Sequence, residues 1–199
     1  MTRVVLASAS PARARLLRDA GIAVHIEVSN VDERELESAM PDATPEQICL
    51  ALAQAKARDV AERINPEPDT IIIGADSVLD VDGTSWGKPA TEEVARQRWH
   101  AMAGRSAVLR TGHWLIAGSV QVGQVASTTV WHGTLSDAEL DAYIATGEPL
   151  QVAGGFTLDG LGAPFIDRIE GDPSNVIGLS LPLLRSLLAT VGVTWPSLW

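Results

Sequence analysis

Apolar positions recur along this chain with two periods. One is a continuous or alternating run that reads as strand, the other a spacing of three to four that reads as helix. Residues 3–7 are β-branched and apolar and run straight into Ser10 and Pro11, a good N-cap followed by proline at the first helical position. Leu16, Leu17 and Ala20 then give a helix one apolar side, and Gly21 ends it. Residues 22–28 alternate imperfectly as a second strand ahead of an acidic turn over 30–35. Thr44-Pro45-Glu46-Gln47 is a capping box that opens a long helix, with Ile48, Leu52 and Ala55 on its apolar side and Lys56 at the edge of that side.

Beyond the break at 66–69, the uninterrupted run 70–75 has the pattern of a strand buried on both faces, and it ends on Asp76. Residues 77–88 read as a hairpin about Asp82-Gly83. If Val81 faces Thr84, then Ser77 faces Lys88, and the Lys88 ammonium comes to lie beside Asp76. Thr91 caps a helix that Gly104 stops, with Trp99 packing through its ring. Residues 108–131 form a pair of extended segments broken at Gly118-Ser119, and Ser136-Asp137-Ala138-Glu139 is a second capping box. Residues 152–162 are too rich in glycine for a regular element, so the backbone there turns sharply or approaches something closely. A strand restarts at Phe165 and Ile166, a polar turn follows over 171–175, and Pro182 begins a last leucine-rich helix. The expectation is one α/β domain over residues 1–199, with room for two lobes.

Composition narrows the function. With 199 residues, 46% hydrophobic and 20% charged, the chain is long enough for a sizeable core. A net charge of -10 argues against a surface that holds long nucleic acid. Cys49 is the only cysteine, which excludes an internal disulfide framework and fits a reducing cytoplasm. The apolar run at 4–7 is too short for a signal peptide, and no stretch approaches a membrane span. His25, His100, His113 and His132 share no metal-ligand spacing.

The strand-to-helix junction at 6–17 has the most chemistry. Unsatisfied amides at a helix start favour an anion, and Ser8, Ser10 and Arg13 stand beside them, which suits a phosphate. Taken alone, the stretch also reads as a capped helix with a solvated arginine. Lys56 is open between a stem with its head in water and a side chain reaching between helix and sheet. Lys88 with Asp76 is open between a site and a plain ion pair.

Taken together, Ser8-Ala9-Ser10-Pro11-Ala12-Arg13, Glu33, Lys56, Ala75-Asp76-Ser77, Gly87-Lys88-Pro89 and the segment from Ser174 to Ser180 resemble, in order, the motifs of the Maf family of nucleoside triphosphate pyrophosphatases. The resemblance implies an elongated mixed α/β fold with a deep central cleft, similar to that of the inosine triphosphate pyrophosphatases. It also implies hydrolysis of a nucleoside triphosphate to the monophosphate and pyrophosphate. Ala12 stands where the family has its first motif arginine. On this reading Glu33 and Asp76 hold magnesium or manganese, Ser8, Ser10, Arg13, Lys56 and Lys88 bind the phosphates, and Asp76 is also the general base. The family's pyrimidine branch carries a lysine and a glutamine where this chain has Val152 and Asp159. Phe156 and Asp159 are therefore expected to meet the base, Phe156 by its face and Asp159 by accepting hydrogen bonds from a guanine-type edge, with Asp159 also open to capping a turn that faces water. The implied protein is cytoplasmic and binds neither nucleic acid nor membrane, with a homodimer open. A regulator of septum formation that binds nucleotide without turnover is the alternative.

Overall fold

The protein is described by a computed structural model covering residues 2–199. Its axis is β3 (Thr70–Val81), twelve residues long and buried almost throughout. The sheet has the order β2-β1-β3-β5-β6-β7, with β1 at Arg3–Leu6, β2 at Val24–Ile26, β5 at Ser106–Ala117, β6 at Val120–His132 and β7 at Ile166–Glu170. β1 lies parallel to β2 and β3, while β3, β5, β6 and β7 follow one another antiparallel. The seventh strand, β4 (Thr84–Trp86), also pairs with β3.

One edge of β3 is shared. β1 covers its first part, from Arg3 opposite Thr70 to Leu6 opposite Ile73, and β4 covers its last part, from Leu79 opposite Trp86 to Val81 opposite Thr84. The stretch between Ile73 and Leu79 has no strand on that side among the described residues. This gap positions the site.

Because successive side chains of a strand point to opposite faces, the apolar run of β3 feeds two cores. Ile71, Ile73 and Ala75 pack with Leu17 of α1 (Pro11–Asp19) and with Leu184 and Leu188 of α7 (Leu181–Thr190). Ile72 faces the other way, toward Ala57 and Val60 of α3 (Pro45–Ile64). At the far end of the sheet, Trp99 of α4 (Glu92–Met102) and Tyr143 of α5 (Asp137–Ala145) pack with Leu79, Leu109 and Val130. Both capping boxes form, at Thr44 with Gln47 and at Ser136 with Glu139.

Helix α3 sits unusually close to the sheet because two strand positions under it carry no side chain. A Cβ on Gly74 would lie 2.0 Å from the Ala53 carbonyl oxygen, and one on Gly112 would lie 2.2 Å from that of Cys49. Gly112 is the cross-strand partner of Asp76, so the same close approach brings α3 within reach of that carboxylate. Gly112→Ala should therefore lift α3 off the sheet, lowering stability by roughly 1–3 kcal/mol and carrying Lys56 away from Asp76. Denaturant melts and steady-state rates of that variant measure the two effects.

Three local expectations change. The second strand shrinks to Val24–Ile26. The acidic turn is helical over Glu33–Ser38 (α2), because the Asp32 carboxylate accepts from the Glu35 amide at 3.0 Å and the acids that follow favour a helix N-terminus. The hairpin at Asp82-Gly83 forms but stops at Trp86, since the Gly87 carbonyl is taken by Gly154 N and by Arg98 Nη1. Ser77 is paired instead with Thr111 across β5.

Two buried histidines tie the scaffold to neutral pH. His113 accepts from Ser180 N through Nε2 at 2.8 Å, and its Nδ1, 2.9 Å from the Thr111 carbonyl, must then be the protonated nitrogen. His132 lies edge-on to Trp99 and Phe156, with no hydrogen-bond partner for either ring nitrogen among the described residues. Burial pushes each pKa down from 6.5 to about 4. The unfolded chain thus takes up protons first as pH falls, and the stabilisation present above 6.5 is lost between there and 4. Each histidine accounts for roughly 3 kcal/mol of that loss. Urea melts at pH 7.5 and 5 should show the decline, and His132→Phe should reduce it.

Candidate active site

The site gathers at the gap on β3, where the chain leaves β1. The Ala7 amide still donates to Ile73 O at 2.8 Å, after which the chain turns through Ser8 and Ser10 into α1. Ser10 caps α1, accepting from Arg13 N, and Ser8 Oγ accepts from Ser10 N at 3.2 Å. Arg13 points inward from the first turn of α1 and is only 8% exposed. Its Nε donates to Gly178 O at 2.7 Å, its Nη1 to Ala75 O at 2.8 Å and to Ser8 Oγ at 3.1 Å, and its Nη2 to Ser77 Oγ at 3.0 Å. A guanidinium has five donor hydrogens, and four are engaged within the protein. Arg13 is thus placed as a clamp between α1, the open edge of β3 and the turn after α6 (Pro173–Ile177), with little left to offer a phosphate.

On the other face of the sheet, Asp76 meets Lys56. The lysine lies on the side of α3 toward the sheet, is 6% exposed, and so takes the second of its two readings, reaching between helix and strand. Its Nζ stands 2.5 Å from Asp76 Oδ1 and 2.7 Å from Glu33 Oε1. The first residue of α2 and the seventh of β3 thereby share one ammonium. Burial raises the pKa of Asp76 above the ordinary carboxylate value, with Lys56 and Arg13 pulling it back. Glu37, one helical turn after Glu33, joins the same field: burial raises its carboxyl, and Asp76 and Glu33 add to the rise. Sequence reasoning missed Glu37, although the four-residue spacing from Glu33 was the signal that would have found it.

Oxygen donors fit a hard divalent ion. Among the described residues no group of three or more His, Cys, Asp or Glu side chains could hold one alone. Magnesium needs no such cage, since it is commonly held by one or two carboxylates together with substrate phosphates and water. Glu33 and Asp76, already drawn to one cation, suit that arrangement.

The remaining expected site residues lie elsewhere. Lys88 does not reach Asp76: β4 ends before it, its side chain is exposed, and it makes no hydrogen bond or ion pair among the described residues. Phe156 lies inside the core at the far end of the sheet. It is 4% exposed and packs at 4.8 Å against the His132 ring, because Gly154 and Gly155, both at positive φ, turn the chain inward beneath Leu79 and Pro89. Trp99 holds that turn through its indole N–H on Gly155 O at 2.8 Å. Asp159 forms an ion pair with Arg15 of α1, so its carboxylate already has a cation. Val152 is half-buried beside this loop. Glu148 organises the outer part of the glycine-rich segment, accepting from Thr157 Oγ1 at 2.6 Å and from the amides of Leu161 and Gly162, both at 3.1 Å.

Of 15 basic residues only two are lysines, Lys56 and Lys88. Both fall in segments that the sequence singled out.

The chain is 53% identical over 207 aligned residues to the nucleoside triphosphate pyrophosphatase of Rhodococcus opacus (strain B4), covering 100% of this chain and 97% of that protein. It is 54% identical over 200 residues to the protein of the same name from Streptomyces coelicolor, covering 99% and 94%. Among solved structures, the Staphylococcus aureus Ham1 protein aligns with a TM-score of 0.41 and 16% identity, over 66% of this chain and 71% of that one. The Maf-like protein family matches residues 3–191, and the chain belongs to that family.

Proposed function

We propose that Glu33, Lys56 and Asp76 form the reaction centre of a nucleoside triphosphate pyrophosphatase, a hydrolase that cuts a nucleoside triphosphate into its monophosphate and pyrophosphate. The observation that carries the activity is the end-to-end match, 53% identical over the whole chain, to a relative of that name. The enzyme works with a divalent metal, which we read as magnesium or manganese held by Glu33 and Asp76. When bound, that ion neutralises charge developing on the phosphates.

The chain's own groups do the rest. Asp76 sits on a strand buried almost throughout, and its raised pKa suits a base that removes a proton from the attacking water. Lys56 supplies a positive charge beside it for the phosphate chain. The α1 N-terminus and Ser10 offer backbone and hydroxyl donors at the end of the gap. Arg13 holds the loop bearing Ser8 in register with Ser77, so we place it as a positioning residue. Lys88, exposed at the end of the short hairpin, is the cation best able to follow a substrate as it enters. We read residues 1–199 as one domain, since a single sheet underlies all three cores.

Incubation with a panel of common and modified nucleoside triphosphates, with magnesium or manganese, tests the reading. The expected products are nucleoside monophosphate and pyrophosphate in equal amounts. Release of inorganic phosphate with nucleoside diphosphate would overturn it. Because Asp159 is paired with Arg15, Asp159→Gln should leave the order of preference among UTP, dTTP, GTP and 7-methyl-GTP unchanged. A reordering would put Asp159 back at the base.

A further inference from the structure

The Lys56 ammonium occupies the position that a cation shared by Glu33 and Asp76 would need, 2.7 and 2.5 Å from their oxygens. It cannot drift from there easily. Its side chain is 8% exposed, and its helix is seated on Gly74 and Gly112 with no room to settle further. Lys56 pairs with those two carboxylates and, among the described residues, with no other acid. A divalent ion arriving alone would therefore either stand against an ammonium at close range or leave it buried without a partner. Both are costly in a partly dry site. A nucleotide changes that balance, since its phosphate oxygens give the ammonium a new partner as the carboxylates are taken.

We infer that Lys56 is a resident counter-ion that keeps a free divalent metal out of the nucleotide-free site and passes from the carboxylates to the phosphate chain when metal and nucleotide arrive together. This rests on the proposed function, whose metal would lie between Glu33 and Asp76. It adds an order of events: the ammonium satisfies the buried Asp76 while the site waits, and it is released only to substrate. Metal and nucleotide then bind as a coupled pair.

Two measurements that do not read turnover test this. The first is Mn2+ binding to nucleotide-free protein, followed by loss of the free-ion electron paramagnetic resonance signal. Lys56→Met, which keeps the length of the stem and removes the charge, should bind Mn2+ on the order of tenfold more tightly than the parent. The gain should vanish in the double variant Lys56→Met with Glu33→Gln. Equal or weaker Mn2+ binding by a folded Lys56→Met protein overturns the inference while leaving the metal site itself standing. Absence of Mn2+ uptake by the parent in the presence of a non-hydrolysable triphosphate analogue, beyond what the analogue alone takes, overturns the metal site and the inference with it.

The second measurement needs no change at Lys56. With two lysines in the chain, nuclear magnetic resonance of the lysine side-chain nitrogens gives two signals, assigned with Lys88→Arg. Millimolar Mg2+ alone should leave the Lys56 signal in place, and Mg2+ with the analogue should move it. A Lys56 signal that moves as far with Mg2+ alone overturns the inference.

Discussion

Asp76→Asn is expected to abolish turnover in a protein that still folds. The substitution preserves the shape of a side chain at the centre of β3, so the pairing with Gly112 and the packing of α3 are retained. What disappears is the charge that would ligate the metal, the base that would take the proton, and one of the two carboxylates on Lys56. Loss of a positioned base costs at least about a hundredfold in rate, and loss of a metal ligand adds to it. Stability should fall, because the buried Lys56 ammonium keeps only Glu33, with part of the loss offset by relief of the carboxylate's own desolvation. Pyrophosphate release and thermal melts run on the same preparation check both halves. Near-normal release by a folded variant would remove Asp76 from the reaction.

Arg13→Ala is expected to be a stability variant first and an activity variant second. Read from sequence, Arg13 was a phosphate ligand or a solvated surface charge. In the structure its loss strands the carbonyls of Ala75 and Gly178 and unties Ser8 from Ser77. Leaving two buried carbonyls without donors costs about 3 kcal/mol in all, which for a chain of this size lowers the melting temperature by roughly 6–12 °C. Arg13→Lys should recover only part, since one ammonium cannot span acceptors on three separate segments. Calorimetric melts of the two variants test this. A melting temperature equal to that of the parent in Arg13→Ala would return the residue to the surface role that the stretch alone allowed.

What could be read from sequence was local. Ser10 with Pro11, the capping boxes at Thr44 and Ser136, the turn at Gly118-Ser119 and the apolar run from Thr70 all depend on neighbours within a few residues, and all are present. Glu33, Lys56 and Asp76 were singled out, with Glu33 and Asp76 meeting at a metal, but not the ammonium of Lys56 between the two carboxylates. The proposed pairing of Lys88 with Asp76 assumed that the hairpin continued its register. It stops because Gly154 and Arg98, 67 and 11 residues along the chain from Gly87, claim the carbonyl that would have extended it. The burial of Arg13 and Phe156 was not legible for a similar reason. A polar residue at a helix start and an aromatic among glycines look exposed until distant segments close over them. The seat that Gly74 and Gly112 make for α3 is legible only once the two strands are known to lie side by side under that helix.

The two carboxylates that share Lys56 come from unequal supports. Asp76 belongs to the middle of a twelve-residue strand flanked on both sides of the sheet by packed helices. Glu33 opens a six-residue helix with no buried residue of its own. The Asp76 amide, on the side of β3 that pairs with β5, should thus exchange with solvent only when the whole molecule opens, whereas the amides of α2 should exchange through local fraying at a far smaller free energy. On gentle heating the α2 half of the pair comes apart while the sheet is still intact. Catalysis in this protein should therefore fade over a range of temperature below the melting transition, reversibly, as Glu33 leaves its partner.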